Sequence, residues 1–138
     1  MNVKIADLMV HQVITSQPHH TIEHVQKIMQ RNHISAVPIV NSDNEPVGIV
    51  TSTDLGRGLK RGTPVSSILP EHVHQVPAYN DISVAARIMR KQKIHHLVVT
   101  HEGAIVGIIS SFDLLQLIDE HRFKMMNPPA SKSRAEGK

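Results

Sequence analysis

Gly48-Ile49-Val50-Thr51-Ser52-Thr53-Asp54 and Gly107-Ile108-Ile109-Ser110-Ser111-Phe112-Asp113 are one stretch written twice, fifty-nine positions apart. Upstream the echo continues at a displacement of sixty, where Ile22, Ile28, Met29 and Ile34 recur as Ile82, Ile88, Met89 and Ile94. A one-residue deletion reconciles the two spacings. Two copies of one supersecondary unit need not each bury an apolar face alone. What survives in both copies is core or a paired site. Most survivors are apolar. The clearest polar survivors are the glycine, hydroxyl and aspartate of the quoted stretches.

Each stretch reads as a strand running into a helix, and the flanking patterns complete the unit. Residues 3 to 10 predict a short opening helix with Ile5, Leu8 and Met9 at helical spacing. An extended segment at Val13 and Ile14 stops near Pro18. Thr21 is an expected N-cap, followed by a stripe of Ile22, Val25, Ile28 and Met29 up to about Asn32. Residues 34 to 40 and 46 to 51 predict an antiparallel hairpin around the polar run 41 to 45. The second copy predicts a short helix over residues 65 to 69, with Thr63 and Pro64 as N-cap and first position. Asp81 should cap a helix carrying Ile82, Ala85, Ile88 and Met89. A hairpin about Glu102-Gly103 follows, then a closing helix with Leu114, Leu115, Leu117 and Ile118 as its apolar face. The unit is β-α-β-β-α behind a short helix. The expected divisions are residues 1–62, residues 63–120 and a disordered basic tail at 121–138.

The chain has 138 residues, enough for one compact domain with a real core. No apolar run approaches the ~18 residues of a membrane span, and no secretory signal pattern opens the sequence. Cysteine is absent, which removes disulfides, thiolate metal sites and a cysteine nucleophile, and fits a reducing, cytoplasmic setting. The basic balance of +3 is misleading about partners. Residues 1–120 hold ten Lys and Arg against eleven Asp and Glu, whereas residues 121–138 hold five against one. The excess sits in the tail, so nucleic acid is not an expected partner of the folded part. Tyr79, Phe112 and Phe123 are the only aromatics, too few for base-stacking platforms.

These residues, in this order, resemble the cystathionine-β-synthase (CBS) domain, and two in tandem resemble a free-standing Bateman module. The likeness rests on Asp7-Leu8-Met9, on Ile34-Ser35-Ala36-Val37-Pro38-Ile39-Val40 and on the doubled glycine-strand-hydroxyl-aspartate signature. It implies an α/β (α+β) fold of two βαββα repeats packed sheet to sheet about a pseudo-twofold axis. It also implies dimerisation into a disc of four repeats. Clefts between repeats would take an adenosyl ligand such as AMP, ADP, ATP, S-adenosylmethionine or NAD. That ligand would be regulatory, and no cofactor is required.

The signature residues suit such a ligand on physical grounds. A carboxylate can accept from both ribose hydroxyls, which nominates Asp54 and Asp113. Each lies where a helix starts and unpaired N–H groups favour a phosphate. Thr51, Thr53 and Ser110 add hydroxyls. The plainer alternative is that both aspartates only complement their helix N-termini. The resemblance places Thr15, with its counterpart Gln75, near adenine and phosphate. It lines the adenine pocket with Ala36, Val37 and Pro38 in the first copy, and with His96, Leu97 and Val98 in the second. Phe112 replaces Thr53 of the first copy and is expected to narrow the second site. His95-His96 stands where the first copy has Ser35-Ala36. The resemblance gives a basic residue here a phosphate to reach, which would make binding sensitive to pH. The alternative is one packed and one solvated histidine. Lys93 and Arg57 are lesser candidates.

Eleven histidines raise the question of metal. His20 and His24 sit at i, i+4, and His72 and His74 form a strand-like pair. No HExxH motif or carboxylate cluster accompanies them, so no metal site is expected. Neither a GxSxG elbow nor a P-loop occurs, which leaves His96 with Ser110 or Ser111 as the one conceivable catalytic pair. The expected function is therefore non-catalytic sensing of an adenosyl ligand, read out by an unidentified effector protein. The rival is a structural or interaction module with vestigial clefts.

Overall fold

The computed structural model describes residues 2–120, and the expected disordered tail lies outside them. Two small sheets carry the fold. Helix α1 (Ile5–Leu8) opens the chain, followed by α2 (Ile22–Asn32), the hairpin β1 (Ala36–Val40) and β2 (Pro46–Thr51), and α3 (Ser52–Leu55). The second copy begins with a 3-10 turn (Val65–Ile68) and continues through β3 (Gln75–Pro77), α4 (Ile82–Gln92), β4 (His96–His101), β5 (Ala104–Ser110) and α5 (Ser111–Asp119). β1 pairs antiparallel with β2, and β4 pairs antiparallel with β5 and parallel with β3.

The strand that should precede α2 shrinks to one parallel bridge, Ser16 with Ile39. Two bonds hold it, Ser16 N–H to Pro38 C=O at 3.0 Å and Val40 N–H to Ser16 C=O at 2.9 Å. Pro18 follows two residues later and limits any extension of the ladder.

Local chemistry accounts for the helix ends. Thr21 accepts from His24 N–H and Asp81 from Ser83 N–H, as N-caps do. Both long helices end on a left-handed residue, His33 (φ 54°) and Lys93 (φ 58°). Pro64, not Thr63, is the N-cap of the 3-10 turn. α3 and α5 start two residues before the aspartates, with Thr51 and Ser110 as their N-caps.

The two sheets meet through Val40, Val98 and Ile105, with Val13, Ile49 and Val73 around them. Their outer faces are covered by helices. This two-sided cover explains why all five residues of β1 are buried rather than alternating. One core joins Ile22, Val25 and Met29 of α2 to Val37, Ile39 and Val50. The other joins Ile82, Ala85 and Met89 of α4 to Leu97, Val99 and Ile109.

The leading helices are exchanged. Ile5 and Leu8 of α1, with Met9 just after it, belong to the second repeat's core, and Val65 of the 3-10 turn belongs to the first repeat's core. Matching hydrogen bonds fix each exchange. Ile5 N–H donates to Asn80 C=O (3.0 Å) and Val65 N–H to His20 C=O (2.8 Å). Ile82 N–H donates to Val3 C=O (2.9 Å) and Ile22 N–H to Thr63 C=O (2.8 Å). Every pair differs by sixty positions, which is the pseudo-twofold relation written in bonds.

Candidate functional site: two clefts between the repeats

Strand alternation decides which residues face the space between the repeats. On β1, Val37 and Ile39 point to the helices, while Ala36 and Pro38 open toward the opposite repeat. Beyond them lies a cavity of about 540 Å³ lined by Val13, Ile14, Ala36, Pro38, Ser110 and Asp113. Its counterpart of about 640 Å³ is lined by Thr51, Thr53, Asp54, His72, Val73 and His74. His95 and His96 line both. Both volumes suit a small organic ligand, for which pockets of roughly 300–1,000 Å³ are usual. Each cleft takes its aspartate from one repeat and its extended wall from the other.

The aspartates are held alike. Asp54 Oδ2 accepts from Thr51 N–H (2.9 Å) and Thr51 Oγ1–H (3.0 Å), and Asp54 N–H donates back to Thr51 Oγ1. Asp113 Oδ2 accepts from Ser110 N–H (2.8 Å) and Ser110 Oγ–H (3.0 Å), and Asp113 N–H donates to Ser110 Oγ. These are capping boxes, so each carboxylate does complement its helix start. In each, Oδ1 keeps no protein partner among the described residues. A group fixed by one oxygen and open at the other is oriented to accept from a ligand hydroxyl.

Several expected positions fall elsewhere. Val37 and Leu97 are fully buried in the two cores and line neither cleft, because the pleat turns them to the helices. Thr15 is half-buried and Gln75 exposed, and neither lines a cleft. The first-copy residues Ala36 and Pro38 do not share a cleft with Asp54 of their own copy; they face Asp113. Phe112 lines the rim of the Asp113 cleft, the smaller of the two, with 78% of its surface exposed. The helix starts are less open than their positions suggest. Ser52 N–H already donates to Ser35 C=O (2.9 Å), and Ser111 N–H to His95 C=O (2.8 Å).

The histidines differ in state. His96 is half-buried, and burial lowers its pKa from the ordinary 6.5; neighbouring His95 lowers it further, while Asp113 pulls it back up. His95 Nδ1 shares a 3.2 Å hydrogen bond with Ser111 Oγ. Ser110 gives its hydroxyl proton to Asp113, so it is not paired with His96 as a nucleophile would be. His20 and His24 stack at 4.3 Å rather than converging on a point. Among the described residues, no group of three or more His, Asp or Glu is placed to hold a metal ion. Sequence reasoning weighed His72 and His74 only as metal ligands, a role it set aside, and missed that they line the cleft with Asp54. The signal was their copy positions, Gln12 and Ile14, of the opposite cleft wall.

Comparison with known proteins agrees with this architecture. The family model described as "CBS domain" matches residues 5–60 and again 65–120. Over 123 residues the chain is 32% identical to a homoserine O-acetyltransferase of Methanosalsum zhilinae, covering 88% of this chain and 25% of that protein. It is 33% identical over 109 residues to an inosine-5'-monophosphate dehydrogenase of Thermoplasma acidophilum, covering 78% of this chain and 22% of the relative. The chain thus spans about a quarter of the length of these curated relatives. Among solved structures it is similar to the CBS domain pair of protein MJ0100 in complex with 5'-methylthioadenosine and S-adenosyl-L-methionine. That match has a TM-score of 0.77 and 25% identity, and covers 84% of this chain and 99% of that one. Two repeats exchanging their leading helices, two matched clefts and two matched family segments lead to one conclusion: the chain belongs to the CBS-domain family, as a tandem pair of CBS repeats.

Proposed function

We propose that this CBS pair is a regulatory module that binds an adenosyl ligand in one or both clefts and has no chemistry of its own. The observation that carries the reading is the paired aspartate. In each cleft a carboxylate is clamped through Oδ2 and left open at Oδ1, facing a wall supplied by the other repeat. A ribose diol on Oδ1 with its base against that wall would tie the two repeats together. Aliphatic residues suffice to sandwich a flat base: Ile14, Ala36 and Pro38 in one cleft, Ile49 and Val73 in the other. The ligands in the MJ0100 pair support the adenosyl class. A ligand then shifts the balance between two arrangements of the repeats only by its difference in affinity for them.

The readout belongs to a partner. We place the protein in the cytoplasm as a homodimer. Among the described residues no helix is long and apolar enough to cross a membrane. Phe112, Leu115 and Ile118 form an exposed apolar stripe on α5, with 78%, 53% and 60% of their surfaces accessible, a natural surface for a second copy. Sedimentation at equilibrium should return the mass of two chains, and that of one chain would remove the dimer.

Thermal unfolding against AMP, ADP, ATP, S-adenosylmethionine, methylthioadenosine, NAD and GTP tests the central claim. A ligand that binds only the native state raises the midpoint with its concentration. The expected result is a rise with one or more adenosyl ligands and none with GTP. A flat response across the panel would leave an interaction module with empty clefts.

A further inference from the structure

The clefts contain no permanent positive charge: none of their lining residues is Lys or Arg. Arg57 and Lys93 lie outside both linings. Each cleft instead has one carboxylate and several imidazoles. The two copies differ at these walls. At the wall of the Asp113 cleft stand Gln12 and Ile14, and sixty positions on, at the wall of the Asp54 cleft, stand His72 and His74. Ser35 and Ala36 of the first copy become His95 and His96. At four cleft-facing positions the second copy has replaced a neutral residue with histidine. All four histidines line the Asp54 cleft.

An imidazole is neutral above its pKa, ordinarily about 6.5, and cationic below it. With the histidines neutral, Asp54 leaves this cleft anionic and hostile to phosphate. With them charged, four cations face one carboxylate. The groups bearing on His96 are named by the geometry. Asp113 and Asp54 face it from the two helix starts, His95 adjoins it in the chain, and His72 and His74 stand beside it on the neighbouring segment of the same repeat, where Val98 N–H reaches His74 C=O. The two carboxylates favour its charging, and burial and the other imidazoles oppose it. His72, His74 and His95 are exposed at the cleft wall.

We propose that the Asp54 cleft is a proton-gated phosphate site, which admits the phosphates of an adenine nucleotide when its histidines are charged and rejects them when they are neutral. The proposal rests on the reading that Asp54 holds a ribose, and it adds which ligand class enters at which pH. The Asp113 cleft has Gln12 and Ile14 where its twin has histidine, and shares only His95 and His96, with His33 at its edge. Its preference should move less.

Titration calorimetry at about pH 7.5 and about pH 5.5, with ATP and with uncharged methylthioadenosine, tests the proposal. ATP should bind at least about tenfold more tightly at the lower pH, the scale of one hydrogen bond gained to a charged group. Methylthioadenosine should change less than about threefold, because it presents nothing to the imidazoles. The double variant His72→Asn, His74→Asn should lose most of the ATP gain while still unfolding cooperatively, which separates a charge effect from misfolding. Equal ATP affinity at both pH values would overturn the gate, as would a full gain in the double variant. If methylthioadenosine binds and ATP never does, only the gate fails. If neither binds at either pH, the ribose assignment fails with it.

Discussion

At the scale of single residues, each signature aspartate does two things with its two oxygens. Oδ2 closes a capping box, and Oδ1, without a protein partner among the described residues, is the atom proposed to take a ligand hydroxyl. Asp54→Ala should therefore weaken an adenosyl ligand in its cleft by about 1.5–3 kcal/mol, the cost of losing hydrogen bonds to a charged group. It should also lower the stability of the unliganded chain by about 1 kcal/mol through the lost cap. Calorimetry and denaturant unfolding measure the two separately, and wild-type binding in both Asp54→Ala and Asp113→Ala would refute the ribose role. The histidines make a second prediction. His20 and His96 both have pKa values lowered from 6.5. For His96 the main cause is burial. For His20 it is burial followed by its neighbours His24 and His19. His20 Nδ1 also accepts from Gln17 N–H (3.1 Å) and Ser16 Oγ–H (2.6 Å), bonds that only an unprotonated Nδ1 can accept. The folded state thus binds fewer protons than the unfolded one below 6.5. Their contribution to stability is full above that pH and is lost as pH falls toward the lowered values. The unfolding midpoint of the unliganded chain should fall as pH drops below about 6.5, and His96→Gln should flatten that fall. A wild-type midpoint that stays level below that pH would contradict the assignment.

At the scale of elements, the signature glycines serve packing rather than ligand. A Cβ on Gly48 would come within 2.7 Å of Leu69 Cδ2. On Gly107 it would collide with Met9 and stand 3.0 Å from the carbonyl oxygen of Val10. Each glycine is where the leading segment of one copy crosses the second hairpin strand of the other. The neighbours differ in what can yield. Leu69 is the tip of a half-buried side chain, whereas Val10 C=O accepts from Ile108 N–H and is fixed by the bridge between them. Gly107→Ala should cost about 1–3 kcal/mol, the range for overpacking, and Gly48→Ala distinctly less. Denaturant midpoints of the two variants decide it, and equal costs would mean that the crossing relaxes. The closing helix divides its apolar residues in a way the pattern did not foresee. Leu114 and Leu117 pack on the core, while Leu115 and Ile118 join Phe112 on the outside. An apolar set wider than one buried face leaves a surplus for another surface.

At the scale of the molecule, neither repeat is complete alone. The second repeat's core includes Ile5, Leu8 and Met9, and the first repeat's includes Val65, with Ile68 and Leu69 packed against it. The chain should unfold in one transition, with calorimetric and van't Hoff enthalpies equal. Leu8→Ala should lower the single midpoint by the equivalent of about 2–5 kcal/mol without splitting it. Two resolved transitions would show the repeats to be independent. On the proposed reading, a ligand touching both walls of a cleft would act on this whole interlocked structure.

The repeat, the order of elements, the helix caps at Thr21 and Asp81, and the aspartates were legible in the sequence, because each depends on a local pattern. Period 3.6 marks α2 and α4, and a hydroxyl three residues before an aspartate marks a helix start. The exchange of leading helices was not legible. Ile5 and Val65 carry the same pattern whichever core they enter, and only the closure of the sheets against each other selects the far one. For the same reason the sequence left open which aspartate Ala36 faces. Sheet-to-sheet packing set Ala36 opposite Asp113 and brought His72 and His74 to Asp54. The amino-acid order alone determined what chemistry each copy carries. Tertiary packing decided which copy's chemistry meets which wall, because contacts across a pseudo-twofold axis leave no periodic trace along the chain.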